Sequence, residues 1–411
     1  MGKISSLSIF LMTLSFVGLL HNPITFGCLF LLSLILIFFE EHKKLKKTLD
    51  ILNNRILIFC FVSFCALLLI SSFISIDPVR SLKVVIYLIF FIFVSFLIYQ
   101  FLISNPERMI FFSKNYIYTI FFTILFIFIY NLFHTKIYYD ESRFFNYFVD
   151  EVKTFKGVIN IYTIMVCLLP LFELRIRKIP FISIISFCLI IPVIFTSNSN
   201  SSFLGMMISV ICLGVFFLIK KFSKQENYVF ILYLAILFFI FLTLKFFDLL
   251  PEITDKDQIN ETVFKIPPGF LDVHRQFIWS FSLEQIKENF FLGIGPDTSN
   301  FIKGSQIDIG HNETGDMNFI PSHPHNFFIE LLLEIGVLGT LAFCILIFVI
   351  NTQFILRNSK TEYFYLVLFN SYFWGSSLVN FSFWNAWWQG SYFFLLAVIF
   401  STLKSKKIKN H

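Results

Sequence analysis

The sequence is short of charge and of residues that interrupt helices. Asp, Glu, Lys and Arg together make up 14% of its 411 residues, with only 16 glycines and 12 prolines. No CxxC pair occurs, and all seven cysteines fall inside apolar runs, so neither a disulfide framework nor a cysteine-based metal or redox pair is expected. There is no P-loop, no GxGxxG and no defensible Ser-His-Asp order, which excludes a cytosolic nucleotide-using domain. No internal repeat and no low-complexity linker is visible. The net charge is +6, and basic residues that orient a chain in an anionic bilayer account for it, so no nucleic-acid partner is needed.

What remains is apolar. Hydrophobic residues make up 57% of the chain and 61 are Phe, in many uninterrupted runs of about the 20 residues that cross a bilayer as a helix. The expected fold is all-α, a polytopic membrane helix bundle. Spans are expected at 4–20, 23–39, 56–74, 83–103, 115–133, 157–172, 181–196, 202–219, 228–247, 325–350, 361–380 and 383–401, about twelve in all. No small-residue cleavage site follows "FVGLLHNP", so the first span is read as an anchor. With a cytoplasmic N-terminus, the inward segments collect 20 of the 32 lysines and arginines, as the positive-inside rule requires. Both termini are then cytoplasmic.

This topology divides the chain into an N-terminal transmembrane bundle (1–247), a large exported loop (248–324) and C-terminal transmembrane helices (325–411). A smaller exported loop is expected at 134–156. The large loop contains "DVHRQFIWSFSLEQIKENF", whose Phe277, Ile278, Phe281, Leu283 and Ile286 are spaced nearly as on a helix, with Asp272 placed to cap it and "GIGP" at 293–296 to break it. Such a helix either lies in the membrane interface with Trp279 down or packs as a lid on the bundle.

The stretch "PSHPHNFFIELLLEIGVLG" (321–339) crowds polar groups at the mouth of an apolar run. Pro324 suits a helix's first turn, so a helix is expected to begin there with its free N–H groups and positive dipole end facing outward, an arrangement that attracts phosphate. His325 would sit in that turn, with Asn326, Glu330 and Glu334 following at i+4 steps along one face. Two carboxyl groups in a membrane helix imply a hydrated cavity, a buried partner, or a lock between helices. Gly336 and Gly339 would let a neighbouring helix approach closely. Histidine is the side chain best able to take a proton near neutral pH, and Arg275 would supply a forked, permanent charge for a diphosphate. His274, His311, His323 and His325 could instead bind a metal, but their spacing is irregular.

"HPHNFFIELLLEIGVLG" resembles the His-Asn and Glu-x-Gly-x-x-Gly signature of the O-antigen ligase and polymerase superfamily. "HRQFIWSFSLEQIKENFFLGIGPDTSNF" is similar to its Arg-x-x-x-Trp helix followed by a Gly-x-Gly-Pro turn. The likeness is most specific at 270–340 and extends more weakly over a related region at 190–350. The resemblance implies a metal-independent, inverting glycosyltransferase of the GT-C type, without a cofactor, at the periplasmic face of the bacterial inner membrane. It implies a glycan on undecaprenyl diphosphate as donor and lipid A-core, or a growing glycan, as acceptor. His325 would be the base and Arg275 the diphosphate clamp, with His323, Asn326 and Glu334 in the substrate site. A second arginine is common in that family where "TSNSNSSFLG" offers Ser199 and Asn200. These two are expected to bind substrate as neutral groups, while Arg80, Arg143 or Lys156 supplies the missing charge, Arg143 first among them. Ligase and polymerase share this machinery, and a single dominant loop leans toward ligase. A transporter or flippase with Glu330 and Glu334 as coupling carboxylates is the reading from another class.

Overall fold

The computed structural model describes residues 2–41, 55–137, 143–176, 179–197, 199–222, 245–251, 264–267, 271–309, 318–357, 363–379 and 381–404. Within them the chain is a helical bundle: α1 (Lys3–Gly18), α2 (Pro23–Glu41), α3 (Arg55–Phe73), α4 (Pro78–Ile103), α5 (Pro106–Ile137), α6 (Arg143–Ile176), α7 (Phe181–Thr196), α8 (Asn200–Phe222), α9 (Val273–Glu288), α10 (Phe327–Arg357), α11 (Phe364–Ser376) and α12 (Ala386–Lys404). Eight of the described helices are long and apolar enough to cross a membrane, and α1 and α7 are shorter apolar helices. Eleven of the twelve expected spans coincide with a described helix. Most of the remaining one, 228–247, lies outside the described residues.

Local chemistry starts these helices where the sequence punctuates them. Pro23, Pro78 and Pro106 open α2, α4 and α5, the position at which proline's missing N–H costs nothing. Asp77 caps α4 by accepting the backbone N–H of Arg80 at 3.1 Å. The smaller loop expected at 134–156 is shorter than that, because α6 already begins at Arg143. Polar residues at 143–156 lower the hydropathy that marks a span without lowering helix propensity.

Apolar side chains are distributed as a bundle in lipid demands. α12 and the Gly157–Ile176 part of α6 are interior helices, with 83% and 78% of their apolar windows buried, against 22% for α3 and α8. Phe59, Phe73, Ile86, Phe122 and Ile211 point outward. In a bilayer that outer surface is solvated by lipid tails. At one end of the bundle Arg108 pairs with Glu41 at 2.6 Å and with Glu40 at 2.5 Å, joining the end of α2 to the start of α5.

The loop domain sits at the other end. α9 packs against α10, and Ile278, Trp279 and Ile286 share a core with Ile294, Ile302, Ile320, Ile329 and Leu333. α9 is therefore a lid on the bundle. Trp279 is only 4% exposed and is directed into this core, away from any lipid interface.

Candidate active site

α10 carries the motif, and its start lies later than expected. The first helical residue is Phe327, and Asn326 is the cap, its Oδ1 accepting the N–H groups of Phe328 and Ile329 at 3.0 and 3.2 Å. His325 consequently lies just outside the helix, not in its first turn. Pro324 cannot begin the helix because His325 adopts a left-handed backbone, φ 56°. His323 Nδ1 accepts the backbone N–H of His325 at 3.1 Å, and the two imidazole rings are 4.1 Å apart. Burial, reinforced by the neighbouring His325, holds His323 down to a pKa of about 3.

Arg275 approaches this turn through α9. It lies one helical turn before Trp279, whose indole N–H donates to the carbonyl of Pro324 at 2.9 Å. Arg275 is half-buried and has no hydrogen-bond or ion-pair partner among the described residues. Its neighbour His274 is engaged elsewhere, 3.0 Å from the carbonyl of Asn318. Asp272 precedes α9, but its side chain makes no cap bond, and Gln276 donates to its carbonyl instead. His311 lies outside the described residues.

The two glutamates of α10 are fully engaged. Glu334 accepts the backbone N–H of Asp297 at 2.6 Å and of Ser299 at 3.0 Å, one on each carboxylate oxygen. Glu330 accepts the Ser382 hydroxyl and the Phe383 N–H, both at 2.6 Å. A carboxylate satisfied on both oxygens by fixed donors is a staple, and each one fastens a loop to α10. The turn joining α3 to α4 reaches the same level: Ser71 donates to the Glu334 carbonyl at 3.0 Å, and Ile76 N–H donates to the carbonyl of Ile294 at 3.0 Å. Glu334 thus sits level with the loop end of α3 and α4.

The glycines serve this stapling. Gly336 has φ 64° and ψ −177°, which breaks α10 and frees backbone groups for the loop. Val337 and Leu338 donate to the carbonyls of Phe290 and Phe291, while Ile294 and Gly295 donate to those of Leu333 and Glu334. A Cβ on Gly336 would fall 2.4 Å from the Phe291 carbonyl oxygen, and one on Gly293 would fall 2.4 Å from that of Glu334. The close neighbour at Gly336 is accordingly the loop backbone at Phe291 and Leu292, not a packed helix. The "GIGP" turn is the partner of the helix break; α9 itself has already ended at Glu288.

Of the three candidate cations, Arg80 is the one whose side chain is among those described, and it lies against the motif loop. Its Nε donates to Asp297 Oδ2 at 2.8 Å, and its guanidinium lies 5.0 Å from the Phe301 ring centroid. Arg143 opens α6, and its side chain, like that of Lys156, lies outside the described residues. Ser199 is buried and paired with Ser202 at 2.7 Å. Asn160, fully buried in α6, donates to Ser201 at 2.8 Å and accepts from Ser202 at 2.9 Å, and its carbonyl accepts from Tyr372 at 3.1 Å. This network holds the start of α8 against α6 and α11, leaving Asn200 exposed. The end of α11 in turn meets α10, where Phe327 N–H donates to Ser377 at 3.1 Å. Asn160 and Ser382 carry no signal in the sequence, where they read as ordinary polar residues beside apolar runs. Asp297 could have been noticed as an acid directly after a Gly-x-Gly-Pro turn.

These contacts define a polytopic helical membrane protein with a loop domain stapled to a broken helix, and a histidine turn gripped by Trp279 of the helix that carries Arg275. Residues 184–344 match the profile of the family described as O-antigen ligase. The chain is also similar to the "Putative polysaccharide ligase" of Rickettsia conorii, 25% identical over 217 residues that cover 52% of this chain and 49% of the relative. Its similarity to the proteins of that name in Rickettsia felis and Rickettsia prowazekii is 25% over 217 residues and 24% over 227, covering 52% and 53% of this chain and 50% and 51% of theirs. The matched region spans about half the length of these curated relatives. The resemblance read from the two motifs, to the O-antigen ligase superfamily, is borne out by both comparisons.

Proposed function

We propose that this chain is an O-antigen ligase-like glycosyltransferase that moves a polysaccharide from undecaprenyl diphosphate to a hydroxyl of lipid A-core at the periplasmic face of the inner membrane. The observation that carries the reading is the join between α9 and the histidine turn. Through the Trp279–Pro324 hydrogen bond, the helix that braces the turn before His325 is the one carrying Arg275, half-buried and without an ion-pair partner among the described residues. Arg275 would hold the diphosphate, whose two phosphates match a forked donor. His325 would take the proton of the acceptor hydroxyl as its oxygen attacks the anomeric carbon. The bond from that carbon to the diphosphate oxygen breaks, and the diphosphate leaves with the electron pair. Inversion at that carbon follows from a single displacement.

The other predicted site residues take supporting parts. Asn326 caps α10 beside the base, and Glu334 shapes the loop carrying Asp297 through backbone contacts. Ser199 orders the start of α8, from which the exposed Asn200 can reach a sugar or phosphate. Arg80 supplies the further cation in preference to Arg143, because its ion pair with Asp297 ties it to the motif loop. The stapled state of Glu330 and Glu334 argues against a transporter, whose coupling carboxylates must be free to exchange their ligands.

The test is transfer by purified protein from a lipid-linked donor. His325→Ala is expected to lower the rate at least about 100-fold, as loss of a general base does. Unchanged transfer would overturn the assignment. In cells lacking the protein, long chains stranded on the lipid carrier are expected. Single repeat units on carrier or core would point to a polymerase instead.

A further inference from the structure

His325 holds a backbone conformation that a side-chain-bearing residue avoids, φ 56°. Such a position costs on the order of 1–3 kcal/mol and persists only where surrounding contacts dictate it. The contacts here are specific. His323 Nδ1 accepts the backbone N–H of His325 at 3.1 Å, and its ring packs on that of His325 at 4.1 Å between centroids. Pro324, between them, is gripped by Trp279, and Asn326, after them, is committed to the helix cap. The backbone on either side of His325 is therefore fixed.

The bond from His323 is the imidazole counterpart of an Asx turn, in which a side-chain acceptor takes the N–H two residues on. It also determines a tautomer. An Nδ1 that accepts carries no proton, so the ring's single proton is on Nε2. A doubly protonated His323 would set N–H against N–H and release the turn. Its burial, which holds its pKa to about 3, keeps it in the accepting form.

We propose that His323 is a positioning residue: its Nδ1 fixes the left-handed turn that aims the His325 ring at the acceptor hydroxyl. This rests on the reading of His325 as the base. It replaces the substrate-binding role expected for His323 with one exerted through its neighbour. A base must lie within about 3 Å of the proton it removes, and misplacement by ~1 Å can cost ~100-fold in rate.

Three variants separate this role from packing alone. In His323→Asn the side-chain oxygen can accept the same N–H; in His323→Gln the acceptor sits one methylene too far; in His323→Ala it is gone. All three are compared with His325→Ala in the full-length detergent-solubilised protein, using lipid-linked donor and measuring kcat and KM separately. The expected result is a fall in kcat of about 10-fold or more for Ala and Gln, with Asn within ~3-fold of the wild type and donor KM little changed in each. Wild-type kcat in His323→Ala, or equal losses for Asn and Gln, would overturn the proposal. A loss confined to KM would return His323 to substrate binding. Full activity in His325→Ala would instead fail the base assignment itself. A readout independent of transfer is the 15N spectrum of histidine-labelled protein at pH 7. The Nε2–H tautomer of His323, identified by its loss in His323→Asn, supports the proposal, and an Nδ1–H tautomer defeats it.

Discussion

Glu334 and Gly336, two residues apart on α10, hold the loop domain from opposite directions. The carboxylate of Glu334 takes the N–H groups of Asp297 and Ser299, and the break at Gly336 gives the N–H groups of Val337 and Leu338 to Phe290 and Phe291. Replacing the glycine tests this arrangement directly. Gly336→Ala adds a Cβ 2.4 Å from a carbonyl oxygen at a positive φ. The expected cost is about 3 kcal/mol or more, because neither backbone can yield cheaply. Faster limited proteolysis of the loop domain, with transmembrane helices still protected, would show it.

Glu334→Gln removes the charge but keeps one acceptor oxygen, and its amide must face a backbone N–H. An unsatisfied buried donor costs about 1–3 kcal/mol. The loop should loosen while the chain still inserts and folds, so transfer should fall with KM for donor rising. If Glu334 were a coupling carboxylate, Gln would abolish ion dependence and leave the loop unchanged in hydrogen exchange.

That the helices were legible and the stapling was not has a physical reason. Hydropathy is local, and it located α3, α4 and α12 from the sequence to within a few residues. The polar groups of α10 were visible as a cluster, but their partners lie far away in the chain: Ser382 for Glu330, Asp297 for Glu334, Asn160 for Ser201 and Ser202. Spacing along one helix cannot tell a carboxylate that faces a cavity from one that accepts a loop N–H. The start of α10 was misplaced by three residues because Pro324 carries the signal of a first turn, whereas a left-handed His325 overrides it and Asn326 provides the cap.

The Arg80–Asp297 pair is partly open to solvent, so its direct effect on stability should be no more than about 1 kcal/mol. Its effect on transfer is expected to be larger. Arg80→Gln should raise donor KM or lower kcat about 10-fold at unchanged melting temperature, since a permanent charge near a diphosphate is lost. Asp297→Asn should leave Arg80 unpaired and make transfer more tolerant of salt. Equal salt dependence in wild type and both variants would remove Arg80 from the site.

Acid should act on His323 in a defined direction. Its folded pKa of about 3 lies below the ordinary 6.5, so the unfolded chain binds the proton first. The stability this neutral ring contributes is complete above pH 6.5 and is lost progressively as pH falls toward 3, by at most about 1.4 kcal/mol per unit. An asparagine at this position does not titrate in that range. The melting temperature of His323→Asn should therefore fall less than that of the wild type between pH 6.5 and 4, measured in the same detergent and salt. Parallel curves would mean that the proton goes to another group, and that the histidine turn is not what acid opens.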